Sequence, residues 1–194
     1  MIKFQAVNFM NQTHANLLKA IAGESMARNK YTFYAEIART EGYEWIAQVF
    51  EETADNERAH AQEELEKLTE KTEMTNTYDI NPLGTTLENL RHAAEGETYE
   101  FGTIYPDFKK VAEQEGETEI AHLFQEISEV EEKHAERYTI LADRLEQGKL
   151  FQSDEEIEWK CLNCGYIHKG KSAPGQCPLC KKPQGWYMGL KIVR

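Results

Sequence analysis

The sequence predicts an all-α fold, a four-helix bundle with a long crossover, followed by a small metal-bound β module at the C-terminus. Three observations predict it. Two Glu-x-x-His pairs, Glu57/His60 and Glu131/His134, recur at a single offset of 74 residues. They lie inside a longer helical repeat. All four cysteines are confined to residues 161–180, in two Cys-x-x-Cys turns.

The repeat comes first because it sets the symmetry. EGYEWIAQVFEETADNERAHA (41–61) aligns with EGETEIAHLFQEISEVEEKHA (115–135) at nine identical positions of 21. The match extends back to Tyr31/Tyr105 and Ala38/Ala112. A duplicated helical hairpin gives four helices related by a pseudo-two-fold axis. Residues at i and i+3 share a helix face, so each Glu-x-x-His pair presents a carboxylate and an imidazole to one metal ion. Two such pairs on facing helices form the ligand pattern already known from ferritin-like dinuclear carboxylate bundles.

The first helix is predicted from about Gln12 to Glu41, stopped by Gly42, and the second from about Tyr43 to Lys71. TEMTNTYDINPLGTT, with Pro82 and Gly84, reads as the crossover between halves. The third helix runs from about Thr86 to Glu115, stopped by Gly116. The fourth runs from about Glu117 to Gln147, with Gly148 after it. The domain boundaries follow: a bundle over 1–148, a linker over 149–157 and a metal-bound module over 158–194.

Periodicity puts acidic residues in the core. The fourth helix spaces Ile120, Phe124, Ile127, Glu131, His134, Tyr138, Leu141 and Leu145 in alternating steps of four and three. The first places Leu17, Glu24, Tyr31 and Ala38 at seven-residue intervals. The second carries Ile46, Phe50, Thr53, Glu57 and His60, and the third Leu90, Ala94, Glu97, Phe101 and Ile104. At least four carboxylates therefore point into one core. An unpaired buried carboxylate is costly or stays protonated, and a pair of bridged cations removes that penalty. His14, His92, His122 and His168 lack such partners and read as surface or structural histidines.

The third helix departs from the repeat. Gly23-Glu24 aligns with Gly96-Glu97 at an offset of 73, whereas Tyr31 aligns with Tyr105 at 74. One extra residue inside a helix is absorbed most cheaply as a π-bulge. Glu100 lies in this stretch without an equivalent in the first helix, and Pro106 removes a helix hydrogen bond just beyond it.

Cys161, Cys164, Cys177 and Cys180 have the spacing of a tetrathiolate site, for which iron or zinc would serve. Residues 158–194 are too few to build a core, so metal binding must supply much of the folding energy. A net charge of −12 argues against nucleic-acid and anionic-membrane partners. With no long apolar run and no signal peptide, the chain reads as soluble and cytoplasmic.

AGESMARNKY, ETADNERAHA, GETYEFGTIYPDF, EVEEKHAERY and CLNCGY…CPLC together resemble the rubrerythrin family over nearly the whole chain. Cys164-Gly165-Tyr166 and Cys177-Pro178 resemble rubredoxin knuckles, with Gly165 supplying a positive φ. This resemblance implies a ferritin-like di-iron site and one rubredoxin-type Fe(Cys)4 iron. It implies a peroxidase that reduces hydrogen peroxide to water, with electrons from NAD(P)H through a separate donor, rubredoxin or a reductase. Carried over by motif, Glu57 and Glu131 bridge the irons, Glu24 holds iron 1, and Glu97 and His134 hold iron 2. Glu100 and His60 are alternative ligands to iron 1, the carboxylate favoured by the oxidised and the imidazole by the reduced metal. Tyr31 and Tyr105 are candidates for hydrogen bonds to the ligand carboxylates, with core packing as the other reading. The resemblance also implies a homodimer or larger assembly. Competing functions are a ferroxidase or iron-storage protein, a dioxygen reductase and a non-catalytic zinc module. The electron-return module argues against the first.

Overall fold

The structure, a computed structural model, describes residues 11–69, 71 and 73–192. Helices α1 (Gln12–Thr40) and α2 (Glu44–Glu66) form the first hairpin. The second consists of α3 (Thr86–Tyr99), a π-helical segment (Glu100–Ile104), α4 (Tyr105–Glu115) and α5 (Thr118–Glu146). Strands β1 (Gln152–Cys161), β2 (Ile167–Ser172) and β3 (Tyr187–Gly189), with a 3-10 turn at Gln184–Trp186, build the C-terminal module.

The repeat persists in the turns. Gly42 and Gly116 both adopt left-handed conformations, with φ of 89° and 81°. Beyond each, the same closing bond recurs: Tyr43 N–H to Ala38 O at 2.8 Å and Glu117 N–H to Ala112 O at 2.9 Å. Both hairpins are therefore closed by one capping geometry. A capping box joins Thr85 and Glu88 at the start of α3, just after the crossover. The second helix ends at Glu66, short of the expected Lys71, because its last turn tightens: Lys67 and Leu68 bond back to Glu64 and Leu65.

The third helix bulges where the extra residue falls. Tyr105 N–H reaches Glu100 O, an i→i+5 bond. The Ser128 hydroxyl donates to Phe101 O at 3.2 Å, so a carbonyl in the bulge is satisfied from α5. The bulge also corrects the expected seam. Phe101 and Ile104 are only partly buried, and Tyr105 takes the core position, because the wider turn rotates the chain below Glu97.

The apolar core is divided. One cluster gathers Tyr31, Tyr34, Trp45, Phe50, Leu90, Tyr138 and Leu141, and another Leu17, Tyr105, Ile120, Phe124 and Ile127. The buried carboxylates occupy helix positions between these clusters: Glu24 falls between Leu17 and Tyr31, and Glu131 between Ile127 and Tyr138.

In the module, β1 is the central strand of an antiparallel sheet ordered β2-β1-β3. Trp159 fills its small core with Ile157, Tyr187, Cys161 and Cys177, and its indole N–H donates to Gly170 O at 3.0 Å. The stretch 149–157 carries Leu150, buried with the first bundle cluster, and from Gln152 the start of β1. Phe151, Leu162, Met188 and Ile192 lie against that same cluster. Contact is closest at Gly185, where an added Cβ would sit 1.7 Å from Gly42 O.

Candidate metal centres

Four helical segments converge on one polar cluster. Glu24, Glu57, His60 and Glu131 offer ligand atoms that lie within 4.8 Å of one another, and so do Glu57, Glu97, Glu131 and His134. Glu57 and Glu131 belong to both sets. Glu57 Oε2 is 3.0 Å from His60 Nδ1, and its Oε1 is 3.5 Å from His134 Nδ1. Glu131 Oε1 is 2.8 Å from His60 Nδ1, and its Oε2 is 2.7 Å from His134 Nδ1. Each carboxylate thus divides its two oxygens between two imidazoles, whose rings lie 6.1 Å apart. Glu24 and Glu97 stand one on either side, 3.8 Å from His60 and His134 respectively.

The cluster has too little positive charge of its own. Burial raises the Glu57 carboxyl well above its ordinary range, and the neighbouring carboxylates add to that. Burial pushes Glu131 up to about 7, with its bonds to the two histidines offsetting part of the effect. Burial alone would lower both imidazoles, but their bonds to carboxylates win. His60 is held far above its ordinary value and His134 at about 9. For Glu97 the burial effect is outweighed by His134, which leaves it below the usual value. The buried Glu57 Oε1 and Glu97 Oε2 have no hydrogen-bond partner. Two divalent cations answer all of this, since they balance four carboxylates and take up the orphaned oxygens.

Outer contacts orient the cluster. Tyr31 Oη donates to Glu97, and Tyr105 Oη donates to Glu24, so each tyrosine bonds the carboxylate of the other hairpin. His134 Nε2 lies 3.2 Å from Asn56 Oδ1; donation there leaves Nδ1 as the bare nitrogen facing the carboxylates. Glu100, on the π segment, stays outside both four-residue sets. Burial, then the charges of Glu97, Glu24 and Glu131, hold its carboxyl well above the usual range. Sequence reasoning missed Asn56 and Glu64. The repeat pairs them with Val130 and Tyr138, so neither stood out by symmetry. Glu64 is wholly buried, and its Oε1 lies 3.1 Å from Tyr105 Oη.

The cysteines form a second centre. Cys161 and Cys180 sulfurs are 3.6 Å apart, and Cys164 and Cys177 sulfurs 3.7 Å. A metal–sulfur bond of about 2.3 Å gives a tetrahedron with edges of about 3.8 Å, so the clasp has the right size. Gly165 has φ of 76° and Lys181, at the matching place after Cys180, φ of 65°. These turns aim backbone N–H groups at sulfur. Burial raises Cys177, but the N–H groups of Cys180 and Leu179 and the Tyr187 hydroxyl bring it down to about 6. Cys164 goes the other way: the Tyr166 N–H lowers it, yet burial and the neighbouring thiols hold it at about 12. A thiolate-binding cation would release the remaining protons.

Comparison with known proteins fits both centres. Residues 15–142 match the rubrerythrin family model, and residues 159–187 match that of the rubrerythrin rubredoxin-like domain. The chain is 45% identical to rubrerythrin of Porphyromonas gingivalis over 182 residues, covering 93% of this chain and 91% of that one. It is 38% identical to rubrerythrin of Nitratidesulfovibrio vulgaris over 184 residues, covering 94% and 96%. The fully reduced, all-ferrous structure of nigerythrin superposes with a TM-score of 0.64 at 34% identity, over 97% of this chain and 91% of that one. Likeness over both centres and nine-tenths of the length leaves one conclusion: the chain belongs to the rubrerythrin family, with a di-iron centre in its bundle and a rubredoxin-like iron at its C-terminus.

Proposed function

We propose that this oxidoreductase is a peroxidase that reduces hydrogen peroxide to water at its di-iron centre. The rubredoxin-like module relays electrons from NAD(P)H through a separate donor protein, rubredoxin or a reductase. Glu57 and Glu131, common to both ligand sets, would be shared by the two irons; Glu24 and His60 would complete one set, and Glu97 and His134 the other. Glu100 would be the further ligand on the His60 side, and the four cysteines would hold the third iron. The observation that carries this reading is the division of each of the two shared carboxylates between two imidazoles, in a buried cluster of a chain that also carries a thiolate clasp.

A ferrous pair held there would supply the two electrons that cleavage of the O–O bond needs. The chain's own residues do the rest. The carboxylates balance the metal charge, Tyr31 and Tyr105 fix Glu97 and Glu24, and Asn56 orients His134. His60, at 12% side-chain exposure, is the least buried of the six and marks the side open to a small oxidant. A homodimer or larger assembly belongs to the same reading. Among the described residues no helix is long and apolar enough to cross a membrane.

The test is metal analysis and a visible spectrum of anaerobically purified protein, followed by oxidation of the reduced chain with peroxide or dioxygen. Three irons per chain and faster oxidation by peroxide are expected. Zinc in the bundle, or dioxygen as the faster oxidant, overturns the reading.

A further inference from the structure

The acidity of this chain stops short of the cysteine clasp. From Trp159 onward there is no aspartate or glutamate, while six lysines and one arginine give that stretch a charge of +7. The whole chain carries −12, so residues 1–158 carry −19, the whole-chain value less those seven charges. Two of the lysines have an ordinary explanation. Lys169 and Lys171 lie on β2, an edge strand that charge protects from further pairing, and Lys169 stands across the ladder from Glu158. Lys160, Lys181 and Lys182 are different. They adjoin Cys161 and Cys180 in the chain, and among the described residues no ion pair holds them.

The clasp has a closed side and an open one. Cys161 and Cys177 are buried in the module's core, whereas Cys164 and Cys180 are partly exposed. Two apolar side chains close in sequence to the open sulfurs stand in water: Leu179, 65% exposed, just before Cys180, and Ile167, 42% exposed, three residues after Cys164. The lysines are held around them. Lys181 Nζ donates to Pro178 O at 2.8 Å, which lays its ammonium group along the Cys177–Cys180 turn. Lys182 Nζ sits 4.2 Å from the centre of the Trp186 ring. Lys160 is exposed on β1 directly across from Ile167, so the two side chains share one face of the sheet. Apolar contacts beside a tetrathiolate, with cations around them, have the anatomy of a small protein interface: a dry centre and a charged rim.

We propose that this surface is where an acidic one-electron carrier protein docks, with Leu179 and Ile167 at the centre of the contact and Lys160, Lys181 and Lys182 meeting carboxylates around it. The inference rests on the relay role given to the module above, and adds where the donor binds and what charge it carries. One electron passes from the reduced carrier to a ferric ion in the clasp. The carrier is oxidised by one electron, the clasp iron becomes ferrous, and no bond or proton changes hands. The electron must enter from another molecule, and transfer falls off steeply with distance, so the side with partly exposed sulfur is the side of entry. Charge selects the partner. A basic carrier is repelled at the clasp and drawn to the −19 of the remaining chain, away from the sulfurs. Lysines at such a rim act mainly on the rate of encounter and its salt dependence.

The probe is an acidic flavodoxin, used against the full-length, iron-loaded protein in two ways. With both partners oxidised no electron passes, and binding is read from NMR shifts of labelled flavodoxin. With flavodoxin reduced, the bleaching of the ferric clasp is followed by stopped flow, without peroxide. Binding and rate in wild type should weaken as salt rises. Lys181→Glu/Lys182→Glu should lose about 10-fold in both at low salt, with the gap closing near about 0.5 M salt. Lys181→Arg/Lys182→Arg should keep both, and so should Lys109→Glu/Lys110→Glu, the same charge change placed on α4. Photoreduced lumiflavin, small enough to need no docking, should reduce wild type and the charge-reversed variant alike. If that variant lacks the visible spectrum of a folded ferric clasp, Lys160→Glu takes its place and should show the same direction of loss. Wild-type binding and rates after charge reversal, or salt-independent binding, overturn the proposal. So does a charge reversal that changes only the size of the oxidised protein in sedimentation, since the patch then belongs to a second copy. If flavodoxin reduces the clasp as expected but the reduced protein does not react with peroxide, the peroxidase reading fails and the docking surface stands.

Discussion

Removing the metal should make the bundle lose stability as pH rises, against the usual trend for carboxylate-rich proteins. In the folded metal-free chain Glu131 titrates at about 7, above the ordinary 4.5. The native state therefore keeps a proton that the unfolded state has released. The resulting stabilisation is complete below pH 4.5 and is lost as pH climbs through 7; its size is about 3 kcal/mol. His134, raised from 6.5 to about 9, behaves alike: its contribution is full below 6.5 and gone above 9. The two groups share a 2.7 Å hydrogen bond, so their protons are linked and the two amounts do not add. With metal bound the dependence reverses, since protons then compete with the cation for the same atoms. Denaturant unfolding followed by helical circular dichroism, between about pH 5 and 9, measures both forms. Metal-free protein should lose about 3 kcal/mol over that window while the iron-loaded form does not. Metal-free stability that is flat or rising with pH would refute the assignment of these two groups.

Cys161→Ser or Cys177→Ser should abolish donor-dependent turnover yet leave one round of oxidation by peroxide after chemical reduction; surviving turnover would mean the module does not relay electrons. Glu97→Ala should lose more iron than Glu100→Ala, as read by metal analysis, because Glu97 belongs to a four-residue set and Glu100 does not. Gly185→Ala should loosen the module from the bundle, since its new Cβ would meet Gly42 O at 1.7 Å. Hydrogen exchange at the α1–α2 turn should rise, and unchanged protection there would count against that contact.

Much of the fold could be read because the chain repeats itself. Helix stops at Gly42 and Gly116, the buried positions of α5 and the paired Glu-x-x-His faces all recur at one offset, so each half vouches for the other. The bulge too was readable, as a one-residue discrepancy in that offset. Its consequence for the core was not. A heptad seam carried straight through Glu97 selects Phe101 and Ile104, whereas the π turn brings in Tyr105. The end of α2 was misplaced for a different reason: a tightened last turn answers to local hydrogen bonds, on which hydrophobic spacing is silent.

The residues that sequence reasoning missed share a cause. Asn56 and Glu64 stand where the repeat has Val130 and Tyr138, so internal comparison gives them no support. A polar residue on one helix, taken alone, reads as solvated surface. Only packing reveals that Asn56 meets the back of His134 and that Glu64 meets Tyr105. Both belong to the first hairpin's α2, and so does the partly exposed His60; Glu100 enters from the bulge in the second. A duplicated hairpin by itself would give two equivalent metal positions. The departures from symmetry make the two positions different. His60, Glu64 and the Tyr105 bond to Glu24 surround one position, while the buried His134, held by Asn56, fixes the other. The repeat builds the cage, and the exceptions to it give its two positions different surroundings.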